Sequence, residues 1–303
     1  MYPIYKNLDP KEFGKKIEAL YKILECCQLC PRKCKVNRLR GEKGFCRVDA
    51  NLYISSYGAH FGEEDILVGY GGSGTIFLTW CNLRCVYCQN YDISLEGNGE
   101  KVSTEKCAEI MLYLQQRGCH NINLVTPTHF APQLVKSISI AAEKGLEIPI
   151  VWNCGGYESA EVVKILDGIV DIYMPDIKYS NSETATKLSH AYDYFDRCRE
   201  AVKEMFRQVG NIQIENGVAK RGLLIRHLVL PEDIAGSQEI FNFLKNEISQ
   251  DVWINIMAQY RPYGFLPEKM ERRITKDEYQ NTVNLAIRIG LKNIIVNPFF
   301  DFS

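Results

Sequence analysis

Six short apolar runs alternate with longer segments of helical periodicity from residue 71 onward. The runs predict strands, and the recurrence of apolar residues at helical spacing between them predicts helices. Strands that alternate with helices form a parallel sheet with right-handed crossovers. The sequence therefore predicts an α/β fold with a partial or full barrel, in which active-site residues lie at the C-terminal strand ends. The predicted strands are 75–79, 121–126, 148–152, 168–174, 222–230 and 252–257, and the predicted helices are 10–26, 103–117, 132–144, 158–167, 183–207 and 236–248, with Ser103 and Ser237 as N-caps.

Three cysteines, Cys81, Cys85 and Cys88, follow the first of these strands with the spacing C-x3-C-x2-C. Thiolates are the usual ligands of iron–sulfur clusters, which normally take four. No fourth Cys or His stands at a comparable interval, so a cluster held here keeps one iron open for a substrate or cofactor. A structural zinc site is the alternative, but such sites usually repeat C-x2-C pairs and close with a fourth ligand. The spacing therefore favours an open iron–sulfur site.

A second cysteine group near the N-terminus has the spacing C-x2-C-x3-C-x11-C, formed by Cys27, Cys30, Cys34 and Cys46. Four thiolates suit Zn²⁺ or a mononuclear iron, and they can also hold another iron–sulfur cluster. The neighbouring Cys26 makes the first ligand ambiguous, although the spacing favours Cys27. The group predicts a second metal, iron or zinc. This metal would either hold an N-terminal lobe against the barrel or relay electrons.

Composition excludes several classes of protein. The formal net charge of −1 argues against a general nucleic-acid binder. No apolar run reaches the roughly 18 residues that cross a bilayer, so we expect no membrane association. The first ten residues lack the basic start and apolar stretch of a signal peptide. We therefore expect a cytoplasmic protein, whose twelve cysteines are ligands and core residues rather than a disulfide framework.

With the open cysteine loop after the first strand of a βα series, the chain resembles the radical S-adenosylmethionine (SAM) superfamily over residues of about 71–300. Within it, the chain is most similar to proteins related to the pyruvate formate-lyase-activating enzyme. The N-terminal cysteine group belongs to the same subgroup's pattern. The resemblance implies a partial (β/α)6 TIM-like barrel at 71–303, with a C-terminal helix and strand extension, and a small Cys-rich N-terminal lobe at 1–70. The closer match lies in Gly74–Thr79, Cys88–Tyr91, Thr126–His129 and Arg226–Pro231.

The resemblance also implies cofactors and chemistry. Cys81, Cys85 and Cys88 would bind three irons of a [4Fe–4S] cluster, and SAM would chelate the fourth. A low-potential donor such as flavodoxin or ferredoxin would reduce the cluster, and cleavage of SAM would yield a 5′-deoxyadenosyl radical that abstracts hydrogen from substrate. This is oxidoreductase or lyase chemistry of the activating-enzyme kind, and the expected substrate is a protein or peptide.

By match to the family's motifs, seven residues are expected to contact SAM. Tyr87 would line the adenine, and Arg226 would bind the SAM carboxylate, because a guanidinium binds carboxylates bidentately. Thr126 and Thr128 stand at the strand end where the family usually has a Gly-Gly-Glu motif for the SAM amino group. The remaining contacts come from later strand ends and are Asn153, Asp176 and Lys178.

Other functions stay open at the level of sequence. The protein can be a glycyl-radical activator, although dedicated activators often carry extra cysteines after the cluster loop and here they precede the barrel. It can also be a radical enzyme that acts on a small molecule or RNA. From a different class, it can be a non-catalytic iron–sulfur electron carrier, although a carrier normally has a saturated cluster.

Overall fold

The computed structural model describes residues 2–264 and 266–297, in which ten strands and ten α-helices alternate in the predicted α/β manner. The strands are β1 (Leu52–His60), β2 (Ser73–Leu78), β3 (Glu100–Val102), β4 (Ile122–Val125), β5 (Ile150–Cys154), β6 (Ile172–Pro175), β7 (Gln213–Glu215), β8 (Val218–Leu228), β9 (Trp253–Met257) and β10 (Asn293–Val296). The helices are α1 (Pro10–Ile23), α2 (Asp65–Val68), α3 (Tyr91–Ser94), α4 (Thr104–Gln116), α5 (Ala131–Glu143), α6 (Ala160–Ile165), α7 (Ser182–Ser189), α8 (Tyr194–Val209), α9 (Ser237–Phe243) and α10 (Lys276–Ile289).

One sheet organises the described residues, with the strand order β10-β9-β8-β6-β5-β4-β2-β1-β3. The strands from β2 to β10 along this path pair in parallel, whereas β1 and β3 add an antiparallel edge. β7 pairs with β8 only. The sheet is open, as expected of a partial barrel, and α10 with β10 forms the predicted C-terminal extension. The fold prediction is confirmed.

Side chains alternate between the inside of the barrel and the helix layer. Val151, Ile172 and Leu224 form one apolar cluster together with Leu67 of α2, which therefore fills the interior at the N-terminal ends of the strands. Their neighbours Trp152 and Tyr173 belong to the larger core beneath the helices. Met174 of β6 belongs to the same cluster. Further along the inner face the side chains become polar: Asn153 stands two residues after Val151, Asp176 two after Met174, and Arg226 two after Leu224. The barrel interior is thus apolar below and polar at the C-terminal ends.

Two local predictions are wrong. The segment 183–207 is not one helix, because α7 ends at Ser189 and His190 takes a left-handed conformation with φ 54° before α8 begins. Glycine usually occupies such a cap, and because a histidine stands here, no residue in the sequence marks the break. Ser103 caps α4 as predicted by accepting from the backbone of Lys106, but the N-cap of α9 is Gly236 rather than Ser237.

The N-terminal lobe shares the barrel's sheet, because β1 pairs with β2 along its length. Helix α1 begins with a capping box at Asp9 and packs against α5 and α6. The division at residue 70/71 stays a prediction, and residues 298–303 of the predicted second domain lie outside the described residues. Within the described part of the chain, no helix combines the length and apolarity needed to cross a membrane.

Asp171 joins the first residues of the chain to the barrel. Its carboxylate accepts from the backbone N–H of Ile4 at 2.8 Å and of Ile150 at 2.9 Å. The side chain is fully buried, and this burial raises its pKa to about 7, although the two N–H donors oppose the shift. The native state therefore binds a proton more tightly than the unfolded chain does.

We expect the stability that this proton binding supplies to be lost as the pH rises from about 4, where the unfolded carboxyl titrates, to about 7. A shift of this size corresponds to about 4 kcal/mol in the free energy of unfolding. Asp171→Asn should flatten this dependence, whereas Asp196→Asn, on an exposed aspartate, should keep it. Urea midpoints at about pH 5 and about pH 8 measure the difference, and equal slopes in wild type and Asp171→Asn would contradict the assignment.

Candidate functional site

The predicted cluster loop leaves the C-terminal end of β2 and returns through α3. Trp80 (φ 63°) and Arg84 (φ 56°) are both left-handed, and each directly precedes a cysteine. Such conformations are costly for residues other than glycine and are typical of functional sites. Cys85 is buried, and Cys81 and Cys88 are partly buried. The loop thus presents three sulfur atoms at the predicted strand end.

Each of the three sulfur atoms has its own hydrogen-bonding partner. The backbone N–H of Leu83 donates to Cys81 Sγ at 3.3 Å. The Ser189 hydroxyl at the end of α7 donates to Cys85 Sγ at 2.9 Å. The Ser94 hydroxyl of α3 lies 3.0 Å from Cys88 Sγ. These partners are suited to stabilise thiolates that carry a metal cluster.

Burial keeps the thiols of Cys81 and Cys85 protonated until a metal replaces the proton. It raises the pKa of Cys81 to about 12, with a further contribution from Cys85. Burial also raises the pKa of Cys85, while the nearby Lys178 ammonium acts in the opposite direction. Within the described ranges 2–264 and 266–297, no three His, Cys, Asp or Glu side chains converge where a single metal ion would bind. A cubane bonds each thiolate to a different iron, so the loop fits a cluster better than a lone ion.

The structure brings Asp176, Lys178 and Tyr87 to the buried Cys85. Lys178 Nζ lies 2.5 Å from Asp176 Oδ2. Burial lowers the pKa of Lys178, but the charges of Asp176, Cys85 and Tyr87 outweigh it, and the net shift is upward. The Tyr87 hydroxyl lies 2.5 Å from that of Tyr179, and its ring packs edge-on against neighbouring tyrosines. These three predicted residues therefore form one group beside the cluster loop.

Arg226 occupies a more acidic environment than expected. Its guanidinium lies 3.5 Å from Glu63, 3.6 Å from Glu64 and 3.9 Å from Asp176. Burial opposes charging, but these carboxylates outweigh it and raise the pKa of Arg226. Asn255 of β9 donates to Glu64 Oε1 at 2.7 Å. Three carboxylates therefore already surround the side chain that was predicted to bind the SAM carboxylate, and that role stays a prediction.

Sequence reasoning missed Glu63 and Glu64. They follow β1 in the N-terminal part of the chain, and nothing in their local sequence indicates that their side chains enter the barrel. Burial raises the pKa of Glu63, although the Arg226 charge lowers it. The Glu64 Oε2 and Asn255 Oδ1 atoms are buried, and neither has a hydrogen-bond partner among the residues that the structure describes.

The two threonines predicted to contact SAM after β4, Thr126 and Thr128, make hydrogen bonds to different neighbours. Thr126 is left-handed (φ 62°), which is strained for a β-branched residue, and its N–H donates to the Asn153 carbonyl at 2.8 Å. Thr126 and Asn153 thus lie at adjacent strand ends. Thr128 is buried and donates its hydroxyl to Glu158, a carboxyl that sequence reasoning also missed. Burial raises the pKa of Glu158 to about 7, and the Thr128 hydrogen bond opposes the shift.

The four N-terminal cysteines line one cavity. Cys27 lies in this group and Cys26 is exposed, so the structure favours Cys27 as the first ligand. The backbone N–H of Phe45 donates to Cys34 Sγ at 3.3 Å. A Cβ added at Gly44 would lie 2.8 Å from the same sulfur, so only glycine fits this approach without a shift. The other cysteines of the group are Cys30 and Cys46.

Burial raises the pKa of both Cys30 and Cys46. Backbone N–H groups of Arg32 and Val48 act in the opposite direction on these two thiols. Both donors stand two residues after their cysteine, as Leu83 does after Cys81. The N-terminal group therefore has the same local arrangement of thiol and backbone donor as the first cysteine of the cluster loop.

Two proteins of known sequence are similar to this chain over most of its length. The uncharacterized protein MJ0674 of Methanocaldococcus jannaschii is 31% identical over 294 residues, which cover 93% of this chain and 80% of that protein. The uncharacterized protein MJ0808 of the same organism is 24% identical over 296 residues, which cover 89% of this chain and 80% of that protein. The similarity therefore includes the N-terminal lobe as well as the barrel.

Among solved structures, SuiB of Streptococcus suis matches with a TM-score of 0.50 at 12% identity. The match covers 72% of this chain and 47% of SuiB, so this chain spans about half the length of that protein. It supports the fold alone. The family model of the Radical SAM superfamily matches residues 75–244, from β2 to the end of α9, and this chain belongs to that superfamily.

Proposed function

We propose that this protein is a radical SAM enzyme that abstracts a hydrogen atom from a protein or peptide substrate. Membership of the superfamily implies enzyme catalysis with a [4Fe–4S] cluster and SAM. When bound, the two groups supply a one-electron cleavage of SAM to a 5′-deoxyadenosyl radical. The observation that carries the proposal is that each sulfur of Cys81, Cys85 and Cys88 has its own hydrogen-bonding partner at the end of β2.

The residues around the loop are suited to orient SAM and keep water away. Asn153 and Thr126 offer polar groups at adjacent strand ends, and Tyr87 supplies a buried aromatic surface for the adenine. Lys178 is paired with a single carboxylate, whereas Arg226 faces three. We therefore favour Lys178 over Arg226 for the SAM carboxylate, while Asp176 holds the ammonium in place. Thr128 would act through Glu158 rather than by touching SAM.

The substrate class is proposed from sequence. The stretches that resemble the activating-enzyme subgroup indicate a polypeptide target and activating-enzyme-like oxidoreductase or lyase chemistry. Activation of a glycyl-radical enzyme is the narrower form of this proposal. We further propose a flavodoxin or ferredoxin as reductant and the cytoplasm as the location, in keeping with twelve free thiols.

We also propose that Cys27, Cys30, Cys34 and Cys46 bind a second metal, iron or zinc, and that binding draws the four sulfurs together, since within the described residues they do not converge on one metal position. Their shared cavity and the N–H donors beside three of the sulfurs support this assignment. Metal analysis of Cys30→Ala against wild type would identify the metal, because the three cysteines of the cluster loop are retained in that variant.

The central experiment is anaerobic reconstitution, reduction and assay of 5′-deoxyadenosine from SAM. Wild type should release it, and an added peptide or protein pool should raise the yield more than small metabolites or RNA do. Deuterium transfer from labelled substrate into 5′-deoxyadenosine would identify the acceptor class. An intact, reducible cluster without SAM cleavage would contradict the enzyme and favour an electron carrier.

Replacing one loop cysteine should abolish both cluster and activity. Cys85→Ala removes one of three protein ligands, so we expect loss of cluster absorbance and a drop of at least about 10³-fold in 5′-deoxyadenosine formation. Cys107→Ala, at a buried cysteine of helix α4, is the matched control and should keep both. A Cys85→Ala protein that keeps its cluster absorbance and activity would refute the ligand assignment.

The hydroxyl donors should set the reduction potential. A hydrogen bond to a cluster thiolate stabilises the reduced, more negative state. Ser189→Ala removes the donor to Cys85 and should lower the midpoint potential by roughly 30–100 mV, as expected for one charge-assisted hydrogen bond and a one-electron couple. Ser137→Ala, at a buried serine that bonds Gln133, is the control. Redox titration followed by EPR measures both, and equal potentials would show that Ser189 does not tune the cluster.

A further inference from the structure

Arg32 connects the four-cysteine group to the barrel. It lies between Cys30 and Cys34, and its guanidinium reaches out of the lobe to three backbone carbonyls. Nε donates to Asn82 O at 2.9 Å and Nη2 donates to Ser189 O at 2.8 Å, while Nη1 donates to His190 O. Its charged end also stacks 3.9 Å from the centre of the Phe45 ring, which directly precedes Cys46.

These carbonyls belong to the two segments that hold the cluster loop. Asn82 directly follows Cys81, and its side chain donates to the Tyr157 carbonyl beyond β5 at 2.8 Å. Ser189 and His190 end α7, where carbonyls lack helical partners and a cation is favourable. The Ser189 hydroxyl is the donor to Cys85 Sγ. A single guanidinium thus fixes the backbone beside one cluster cysteine and the donor of another.

A second contact links the same two regions. His129 lines the cavity of the four cysteines, and its Nε2 lies 2.8 Å from the Thr79 carbonyl, two residues before Cys81. The other ring nitrogen, Nδ1, is buried and has no hydrogen-bond partner within residues 2–264 and 266–297. The imidazole therefore stands between the cavity and the start of the cluster loop.

A buried positive charge, the guanidinium of Arg38, lines the four-cysteine cavity. Arg38 is only 1% exposed, and its guanidinium donates to the Asp49 carbonyl at 2.7 and 3.0 Å. Its remaining contact is Cys27 Sγ at 3.9 Å, and no ion pair with a carboxylate is found for it within the described residues. A buried cation without a counter-charge is expensive, and metal-bound thiolates would supply that charge. Metal in the cavity would therefore also order the Cys30–Cys34 turn from which Arg32 projects.

We propose that Arg32 is a positioning residue that transmits metal occupancy of the N-terminal four-cysteine site to the cluster loop. With the N-terminal metal bound, Arg32 holds Asn82 and the end of α7, and Ser189 stays on Cys85. Without that metal, the turn loosens, the three carbonyl contacts are lost together, and the cluster loop is less well ordered for SAM. The inference rests on the proposed function and deepens it by assigning the second metal a role in the first site.

A double-mutant cycle tests the coupling without measuring turnover. The proteins are wild type, Cys30→Ser, which breaks the N-terminal metal site, Arg32→Ala and the double variant, all full-length and anaerobically reconstituted. Two readouts are taken on the reduced [4Fe–4S] cluster: its midpoint potential, and the SAM concentration that half-converts its EPR signal. Arg40→Ala, on an exposed arginine of the same lobe, is the matched control.

We expect Cys30→Ser and Arg32→Ala each to raise the half-converting SAM concentration by about fivefold or more and to shift the midpoint potential in the same direction. The double variant should be no worse than the more affected single variant, because both changes break one connection. Arg40→Ala should stay within about twofold of wild type. If the two effects multiply, Arg32 merely packs against the barrel, and the coupling is overturned. It is equally overturned if Cys30→Ser loses its metal and leaves both readouts unchanged.

A substitute variant covers a folding failure, and two outcomes in wild type distinguish this inference from the proposed function. Where Arg32→Ala does not fold, Arg32→Lys keeps the charge but cannot bridge three carbonyls, and the same comparison applies. A wild-type cluster that binds SAM without cleaving it overturns the proposed catalysis, yet the cycle still decides the coupling. A wild type that assembles no cluster on the 81–88 loop overturns both.

Discussion

The cluster loop depends on one physical requirement: buried thiols must become thiolates. Desolvation works against that charge at Cys81 and Cys85, so the surrounding protein has to provide compensation. It does so with a backbone N–H, two serine hydroxyls and the ammonium of Lys178. The left-handed backbone at Trp80 and Arg84 is the conformational cost of presenting three sulfurs from so short a loop.

The same requirement explains why the upper barrel is polar. Lys178 supports Cys85, and Asp176 is the first of the groups that keep it charged in a buried position. Asp176 in turn faces Arg226, and the Arg226 charge is balanced by Glu63 and Glu64 from the loop after β1. A chain of alternating charges therefore runs from the cluster loop into the barrel, and removing one member would leave its neighbours buried and unpaired.

The features that the sequence predicts correctly are those that depend on residues close together in the chain. The alternation of apolar runs located the parallel strands, and the C-x3-C-x2-C spacing identified the loop, because each depends on residues close together in the chain. Glu64 and Ser189 could not be found this way. Ser189 reaches Cys85 across 104 positions, and its hydroxyl is placed by the left-handed end of α7, which no glycine marks. Such partners are determined by packing between distant segments, which periodicity does not encode.

Arg226 shows how a motif match can give an incomplete chemical picture. A guanidinium at that strand end is suited to a carboxylate ligand, but the suitability depends on the charges already present. Three carboxylates within 4 Å leave little net attraction for a fourth, and two of them come from a segment whose sequence resembles an ordinary exposed turn. Lys178 has one carboxylate partner, Asp176, beside the sulfur of Cys85, so it faces fewer carboxylates than Arg226 does. Charge balance across the whole barrel, and not residue type at one position alone, is therefore the basis on which we propose Lys178 rather than Arg226 for the SAM carboxylate.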